Sequence, residues 1–354
     1  MSSVHAVLPG GVDDPAHPSG GNVYDRHVCR ELRSLGWTVH EHAVAGSWPE
    51  ADATSLAGLA DLVAGLPDQA VVLLDGLVAS AAPEALVPQA ARLRLVVLVH
   101  MPLGDRPSTG DAEHVRARER SVLSAATTVV TTSAWSRRRL RELYPGSLPR
   151  IHVVPPGAHA AEIVTGSAGG GALLCVAAVT FGKGHDLLVE ALQTISDLSW
   201  RCVCVGALDR EPAFVDELRC RVADAGLSER VSFSGPRVGA DLCHSYAAAD
   251  LLVLASRAET YGMVVTEALA RGLPVIATDV GGVAEAMGHD AGGVRPGLLS
   301  PAGDAVAYGA ALRAWMNDAN LRGRLRAAAR ARSATLAGWA DTASALADAL
   351  TAAS

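Results

Sequence analysis

Lysine is almost missing from this 354-residue sequence: of 30 basic residues, 29 are arginine and one, Lys183, is lysine. An excess of positive charge is missing too, since 37 acidic residues leave a net charge of -7. General nucleic-acid binding needs a positive footprint to neutralise phosphates, so that class is excluded. No apolar run approaches the roughly 18 residues of a membrane span. The opening MSSVHAVLPGG has neither the basic region nor the apolar core of a signal peptide. The expectation is a cytoplasmic protein with no stable membrane insertion. The six cysteines form no CxxC pair of zinc spacing, so buried, reduced, structural thiols are expected. No GxGxxG follows the first apolar run, which removes most of the support for a nicotinamide dehydrogenase. Aromatics are scarce at 4%, yet 49% of residues are hydrophobic, which excludes a disordered chain.

What is present divides in two, and the length also favours two domains. VHAVLP (4–9) reads as a buried strand. A Gly-rich loop leads from it to a helix whose face is expected to carry Val23, His27, Val28, Leu32 and Leu35, with Gly36 at the C-cap. Further strands are expected in WTVHEHAV, AVVLLDG, LRLVVLVH, TTVVTTS and RIHVVPPG. They alternate with Ala- and Leu-rich helical patterns, the mark of a parallel sheet covered on both faces. Periodicity stops at HAAEIVTGSAGGGA (159–172) and a second series follows: ALLCVAAVT, WRCVCVGAL, RVSFSGP, DLLVLAS and PVIATDV. The expected organisation is an N-terminal Rossmann-like domain over 1–157, a linker over 158–170 and a C-terminal Rossmann-like domain over 171–335. A helix over 336–354 either caps the second domain or crosses back to the first. VRARER and SRRRLREL read as solvated helix faces, because acidic residues are interleaved with the arginines.

The densest chemical signal is LLVLASRAETYGMVVTEALARGLPVIATDVGG (251–282), which reads strand, loop, helix, strand. Its loop lies beyond the carboxyl end of a parallel strand, where open α/β sheets bind ligands. Gly262 permits close backbone approach, and the helix from about Met263 points its free N–H groups and positive dipole end at the loop, as a phosphate requires. Glu259 and Glu267 flank that point as acceptor-only groups, suited to sugar hydroxyls. In VAAVTFGKGHDLLVEAL, Lys183 stands between Gly182 and Gly184 at another strand's carboxyl end. Its compact ammonium suits a diphosphate oxygen. Gly20, Gly21 and Asn22 open the first helix where an anion or sugar can approach, and His100 closes its strand just before Met101.

These residues converge on a known pattern: the sequence resembles, over essentially its whole length, the family-4 retaining glycosyltransferases of two-domain GT-B fold. The Glu259–Glu267 pair with seven residues between them is the strongest match. SGGN, His100, TTSAWS, VVPPG, KGHDLL, and VSFSGP followed by YAAADLLVLAS support it. The resemblance implies two Rossmann-like domains facing across a cleft, with a nucleotide diphosphate sugar bound to the second. Glu267 would hold the ribose, Lys183 the diphosphate and Glu259 the hexose hydroxyls. Tyr261, Gly262, Met263 and Val264 would contribute beside them, Gly20 and Gly21 would approach the diphosphate, and His100 would lie beside the sugar. Asn22, Met101 and the loops VDDPAHP and MPLGDRPSTG would face the acceptor. The configuration would be retained with no protein nucleophile, no metal and no cofactor besides the co-substrate. Many members carry Gly-Arg where this chain has Ala177 and Ala178. Either Lys183 then acts with less help or Arg257 substitutes for the missing arginine. VVPPG departs in the same way from the commoner Pro-Asn-Gly turn.

The expected reaction is transfer of a hexosyl group, from a UDP-hexose first and GDP-mannose second, to a hydroxyl of a small polar or natural-product acceptor. A nucleotide-sugar epimerase or hydrolase of the same fold, or a non-catalytic nucleotide-sugar binding partner, are the alternatives.

Overall fold

The computed structural model describes residues 2–16, 18–105 and 112–353. His17 of VDDPAHP and residues 106–110 of MPLGDRPSTG lie outside the described residues. The chain forms two compact units. One comprises Met1–Asp14, Ser19–Gly157 and Ala337–Ser354, and the other comprises Pro15–Pro18 and Ala158–Leu336.

The first unit is built on a six-stranded sheet made of β1 (Ser3–Pro9), β2 (Thr38–Val44), β3 (Val71–Asp75), β4 (Arg94–Val99), β5 (Thr128–Thr131) and β6 (Ile151–Val153). The order is β2-β1-β3-β4-β5-β6, and every pairing is parallel. VVLLD and TVVT are buried along their whole length, as strands covered on both faces must be. The order reverses between β1 and β3, so the first unit has its topological switch point there.

The opening helix, Gly20–Ser34, is turned from the orientation expected from its apolar spacing. Val23 and Leu35 are exposed, while Tyr24, Asp25, Val28, Cys29 and Leu32 face inward. Two polar residues take buried places because each has a partner: the Tyr24 hydroxyl donates to the Val154 carbonyl at 3.0 Å, and Asp25 meets His100. Gly36, at φ +84, ends the helix: its N–H reaches Arg33 O and that of Trp37 reaches Leu32 O. The terminal helix, Trp339–Ala353, belongs to the first unit. Its Trp339 ring stacks on His27 at 4.3 Å, and Thr342 Oγ1 donates to Pro155 O at 2.9 Å.

The second unit repeats the plan with β7 (Ala172–Val176), β8 (Arg201–Val205), β9 (Val231–Phe233), β10 (Leu251–Leu254), β11 (Val275–Thr278) and β12 (Gly297–Ser300), again all parallel. The order is β12-β11-β10-β7-β8-β9, with the switch point between β7 and β10. β12 was not expected from the sequence, because GLLS between Pro296 and Pro301 is too short to show a period. Residues 158–170 form no helix or strand, but Asp250 holds them to the second unit by accepting from Ser167 Oγ at 2.6 Å.

The cysteine expectation needs correction. Cys29, Cys175, Cys202 and Cys204 are buried, but Cys220 and Cys243 are exposed, because each lies on a helix whose core face is supplied by other positions. No helix among the described residues is long and apolar enough to cross a membrane.

Tyr308 ties β10 to β11, beside the second switch point. Its hydroxyl accepts from Leu254 N at 2.9 Å and donates to Ile276 O at 2.7 Å, all buried. Tyr308→Phe strands a buried N–H at the end of β10. It is expected to lower stability by about 1–3 kcal/mol, measured by urea unfolding.

Candidate active site

In the second unit, the loops leaving β7 and β10 carry the expected residues to the switch point. The β7 loop passes through a single 3₁₀ turn, Phe181–Lys183, and reaches Gly184 at φ +65. A Cβ at Gly184 would lie 2.0 Å from Ala255 O, so only glycine lets the two loops touch. The Arg257 N–H donates to Gly182 O at 2.9 Å and locks the contact. Lys183 Nζ then reaches Glu259 Oε1 at 2.6 Å, and Ser256 Oγ donates to the same oxygen at 2.8 Å. The two residues expected to serve the diphosphate and the hexose are therefore each other's partners. Glu259 is nearly enclosed while Lys183 is about one-third exposed, so the pair opens on the lysine side.

The β10 loop ends at Gly262, whose φ of +93 turns the chain into the helix Met263–Ala270 with no side chain capping its N-terminus. The first N–H groups of that helix stay available to a ligand. Glu267, on the same helix, accepts from the Tyr246 hydroxyl at 2.8 Å. The Arg271 guanidinium lies over the Tyr246 ring at 4.5 Å. Tyr261, expected at the donor, packs instead with the apolar core, where burial and then the Glu285 charge push its hydroxyl up to about 12. Met263 and Val264 are partly buried at the helix start.

Arg257 is already engaged. It makes two 2.7 Å bonds to the Asp186 carboxylate, a third to Phe181 O, and lies 3.9 Å above the Phe181 ring. Near Ala177 and Ala178 the backbone extends the sheet instead: Ala177 N donates to Val205 O and Val179 N to Ala207 O, both at 2.9 Å.

In the first unit, His100 follows β4 and is mostly enclosed, with 14% of its side chain exposed. Its Nε2 lies 2.8 Å from Asp25 Oδ1 and 3.6 Å from Asp75 Oδ2. Gly21 packs on the ring so closely that a Cβ there would lie 3.2 Å from His100 Cδ2, which explains that glycine. Gly20 is exposed one residue earlier. Asn22 donates its backbone N–H to Ser19 Oγ at 3.1 Å, so it belongs to the helix cap, while Met101 is exposed. Beyond Met101, Glu119 accepts from Leu103 N at 2.7 Å and Gly104 N at 2.8 Å and fixes the turn after the histidine.

Sequence reasoning missed Asp25 and Asp75, which stand in no motif, and gave no role to Ser256 and Asp186, although both lie inside the quoted segments LLVLAS and KGHDLL. It also missed Gly281, although TDVGG was visible. A Cβ at Gly281, where φ is +58, would lie 1.5 Å from Glu259 O, and Gly282 N donates to that oxygen at 3.0 Å. The turn after β11 thus supports the Glu259 loop from beneath.

Two groups among the described residues bring metal-capable atoms together: Asp25, Asp75 and His100, and Cys175, His185 and Cys204. The second is sealed in the core, with Cys175 Sγ 3.6 Å from His185 Nε2. Hydrogen bonding with its neighbour and burial push the Cys175 thiol well up, which disfavours the thiolate that binds metals.

Residues 31–157 match the family model described as glycosyl transferase 4-like domain, and residues 168–332 match glycosyl transferases group 1. The chain is 32% identical over 257 residues to a D-inositol 3-phosphate glycosyltransferase of Jonesia denitrificans, covering 66% of this chain and 59% of that protein. It spans about three fifths of the length of the curated relatives it matches. Among solved structures, a sucrose-phosphate synthase from Thermosynechococcus elongatus is similar over 100% of both chains, with a TM-score of 0.79 and 22% identity. HepE of Anabaena, solved with UDP and glucose, has a TM-score of 0.75 at 18% identity, covering 99% of this chain and 100% of that one.

Gly281→Ala sets a side chain against the Glu259 carbonyl and is expected to cost about 2 kcal/mol or more. Gly293→Ala, also at positive φ but with open space around it, isolates the dihedral cost. Thermal melts of the two variants should show a clearly larger loss at 281.

Proposed function

This chain belongs to the family-4 glycosyltransferases of GT-B fold, and on that premise we propose that it transfers a hexosyl group from a UDP-hexose to a hydroxyl of a small polar acceptor, with retention of configuration. The observation that carries the proposal is the meeting of Lys183 and Glu259 at the second switch point, in the loop that ends at the uncapped helix Met263–Ala270. An ammonium, a carboxylate and a set of free N–H groups supply what a diphosphate and a polyhydroxylated ring require together.

In the proposed reaction the bond from the anomeric carbon to the diphosphate oxygen breaks, and a bond to the acceptor oxygen forms on the same face. The acceptor's proton passes to the departing diphosphate, so the products are UDP and a glycoside. Lys183 and the helix N-terminus stabilise the charge that develops on the diphosphate, a fixed electrostatic contribution in a preorganised site. Glu259, released from Lys183 when the lysine turns to phosphate, accepts from hexose hydroxyls, while Glu267 accepts from the ribose. Arg257, held by Asp186, serves by pinning the Lys183 loop and not by touching the diphosphate. His100 is the further group proposed to serve the sugar. No metal takes part.

The acceptor is proposed to be a polyol or its phosphate. Support comes from the relatives named for D-inositol 3-phosphate. For the donor, HepE was solved with UDP-glucose, and GDP-mannose remains the second choice. An epimerase or hydrolase using Glu259 and Glu267 as acid and base draws little support, because the two carboxylates are tied to different partners, Lys183 with Ser256 and Tyr246.

Incubation with UDP-glucose, UDP-N-acetylglucosamine and GDP-mannose, with and without inositol phosphates, tests the proposal. UDP release that rises with acceptor is expected, together with a melting temperature that climbs with the UDP-sugar. Release independent of acceptor would establish a hydrolase, interconversion of the sugar an epimerase, and binding without turnover a binding protein. In the active system Lys183→Ala should lower kcat by about 10²–10³-fold. An unchanged kcat would remove the lysine from the chemistry.

A further inference from the structure

The first unit buries two carboxylates against one imidazole, and no sequence motif accounts for either of them. Asp25 reaches the ring from the opening helix, and Asp75 reaches it from the end of β3. Both are almost wholly enclosed, at 1% and 3% exposure, so their charge is not screened by water. Asp75 has other duties: its Oδ1 accepts from Leu77 N at 2.7 Å and caps the short helix Gly76–Ser80. Asp25 has none. Its Oδ1 meets His100, and its Oδ2 has no hydrogen-bond partner although it is buried. A carboxylate kept under those conditions has a cost, and the imidazole is what offsets it.

We propose that Asp25 and Asp75 are positioning residues for His100: they clamp Nε2 so that the ring offers Nδ1, as an N–H donor, to an oxygen of the bound nucleotide sugar. This rests on the reading of His100 as a group that faces the sugar. The chemistry follows from which nitrogen is occupied. With Nε2–H donating to Asp25, a neutral ring has only a lone pair at Nδ1 and can only accept. A protonated ring donates from both nitrogens. The charges facing the ring decide between these states, and the groups around it come from two elements. The opening helix supplies Asp25, and also Tyr24, whose ring edge stands 5.2 Å from the imidazole but whose hydroxyl is committed to Val154 O. β3 supplies Asp75. The start of the opening helix supplies the uncharged backbone of Gly21. Burial works against the imidazolium, but the Asp25 charge and hydrogen bond, joined by Asp75, outweigh it and raise the ring's pKa above its ordinary value. Asp75 is pushed up to about 7, first by burial and then by the neighbouring Asp25 charge. His100 and Asp75 therefore hold their protons to higher pH than they would as independent groups.

The test reads the ring directly, without turnover. Ligand-free protein labelled with ¹⁵N-histidine is titrated by NMR, and His100→Gln assigns the signal. The wild-type ring should titrate above about 6.5 and, once neutral, should show the Nε2–H tautomer. Asp25→Asn keeps the shape and an acceptor but removes the charge, and should lower the midpoint by about one unit or more. Asp75→Asn, which also serves if Asp25→Asn fails to fold, should lower it less. A wild-type midpoint at or below 6.5, an Nδ1–H tautomer, or a midpoint that neither variant moves would overturn the proposal, whatever the enzyme is found to transfer. Where transfer is measured, the alkaline limb of kcat/KM should move to lower pH in Asp25→Asn by the same amount as the NMR midpoint.

Discussion

Direct contact between backbones holds the second unit's site together. Gly184 lies against the Ala255 carbonyl, Gly281 against that of Glu259, and Gly206 against that of Ala177, where a Cβ would lie 1.9 Å away. The four loops that leave β7, β8, β10 and β11 are thereby stacked without side chains between them. The polar groups they carry are fixed by main-chain geometry and not by long, mobile stems. The 2.6 Å pair of Lys183 with Glu259 is a product of that stacking: the lysine is long, but its anchor is rigid. The same constraint explains why Arg257 faces Asp186. Its N–H is spent on Gly182, so the side chain leaves the loop on the side of Phe181.

The two units solve one topological problem twice with different chemistry. Each reverses its strand order beside its first strand, and each gathers polar side chains at that point. In the second unit the gathered charges are opposite and partly solvated, so they can exchange one another for a ligand. In the first unit two acids and one imidazole are enclosed together, and the proton count, more than the contacts, defines the state of the site.

Much of the scaffold was legible because parallel strands buried on both faces are written as unbroken runs. LVVLV and VVLL need no partner to be recognised, and the glutamates with Lys183 lie in loops whose flanking strands and helices are plain. What stayed hidden has a common physical cause. Asp25 and Asp75 stand alone in sequence, 50 residues apart, and meet only because β1, β3 and the opening helix converge. A fully buried aspartate is rare, so nothing local in sequence points to it. The opening helix turned differently from its apolar spacing for the same reason: Tyr24 and Asp25 are inward because they have partners elsewhere in the fold. β12 was hidden by brevity, and Gly281 by the fact that a glycine's crowding depends on the backbone opposite it.

The rarity of lysine has a practical meaning once its place is known. The chain has a single ε-amine, and that amine is salt-bridged, one-third exposed and next to a carboxylate. Amine-directed reagents that spare arginine therefore have one side-chain target in 354 residues, and its reactivity depends on whether Glu259 or another anion holds it. The composition thus gives the molecule a built-in chemical reporter at its own site, one that most proteins of this size would need many substitutions to isolate.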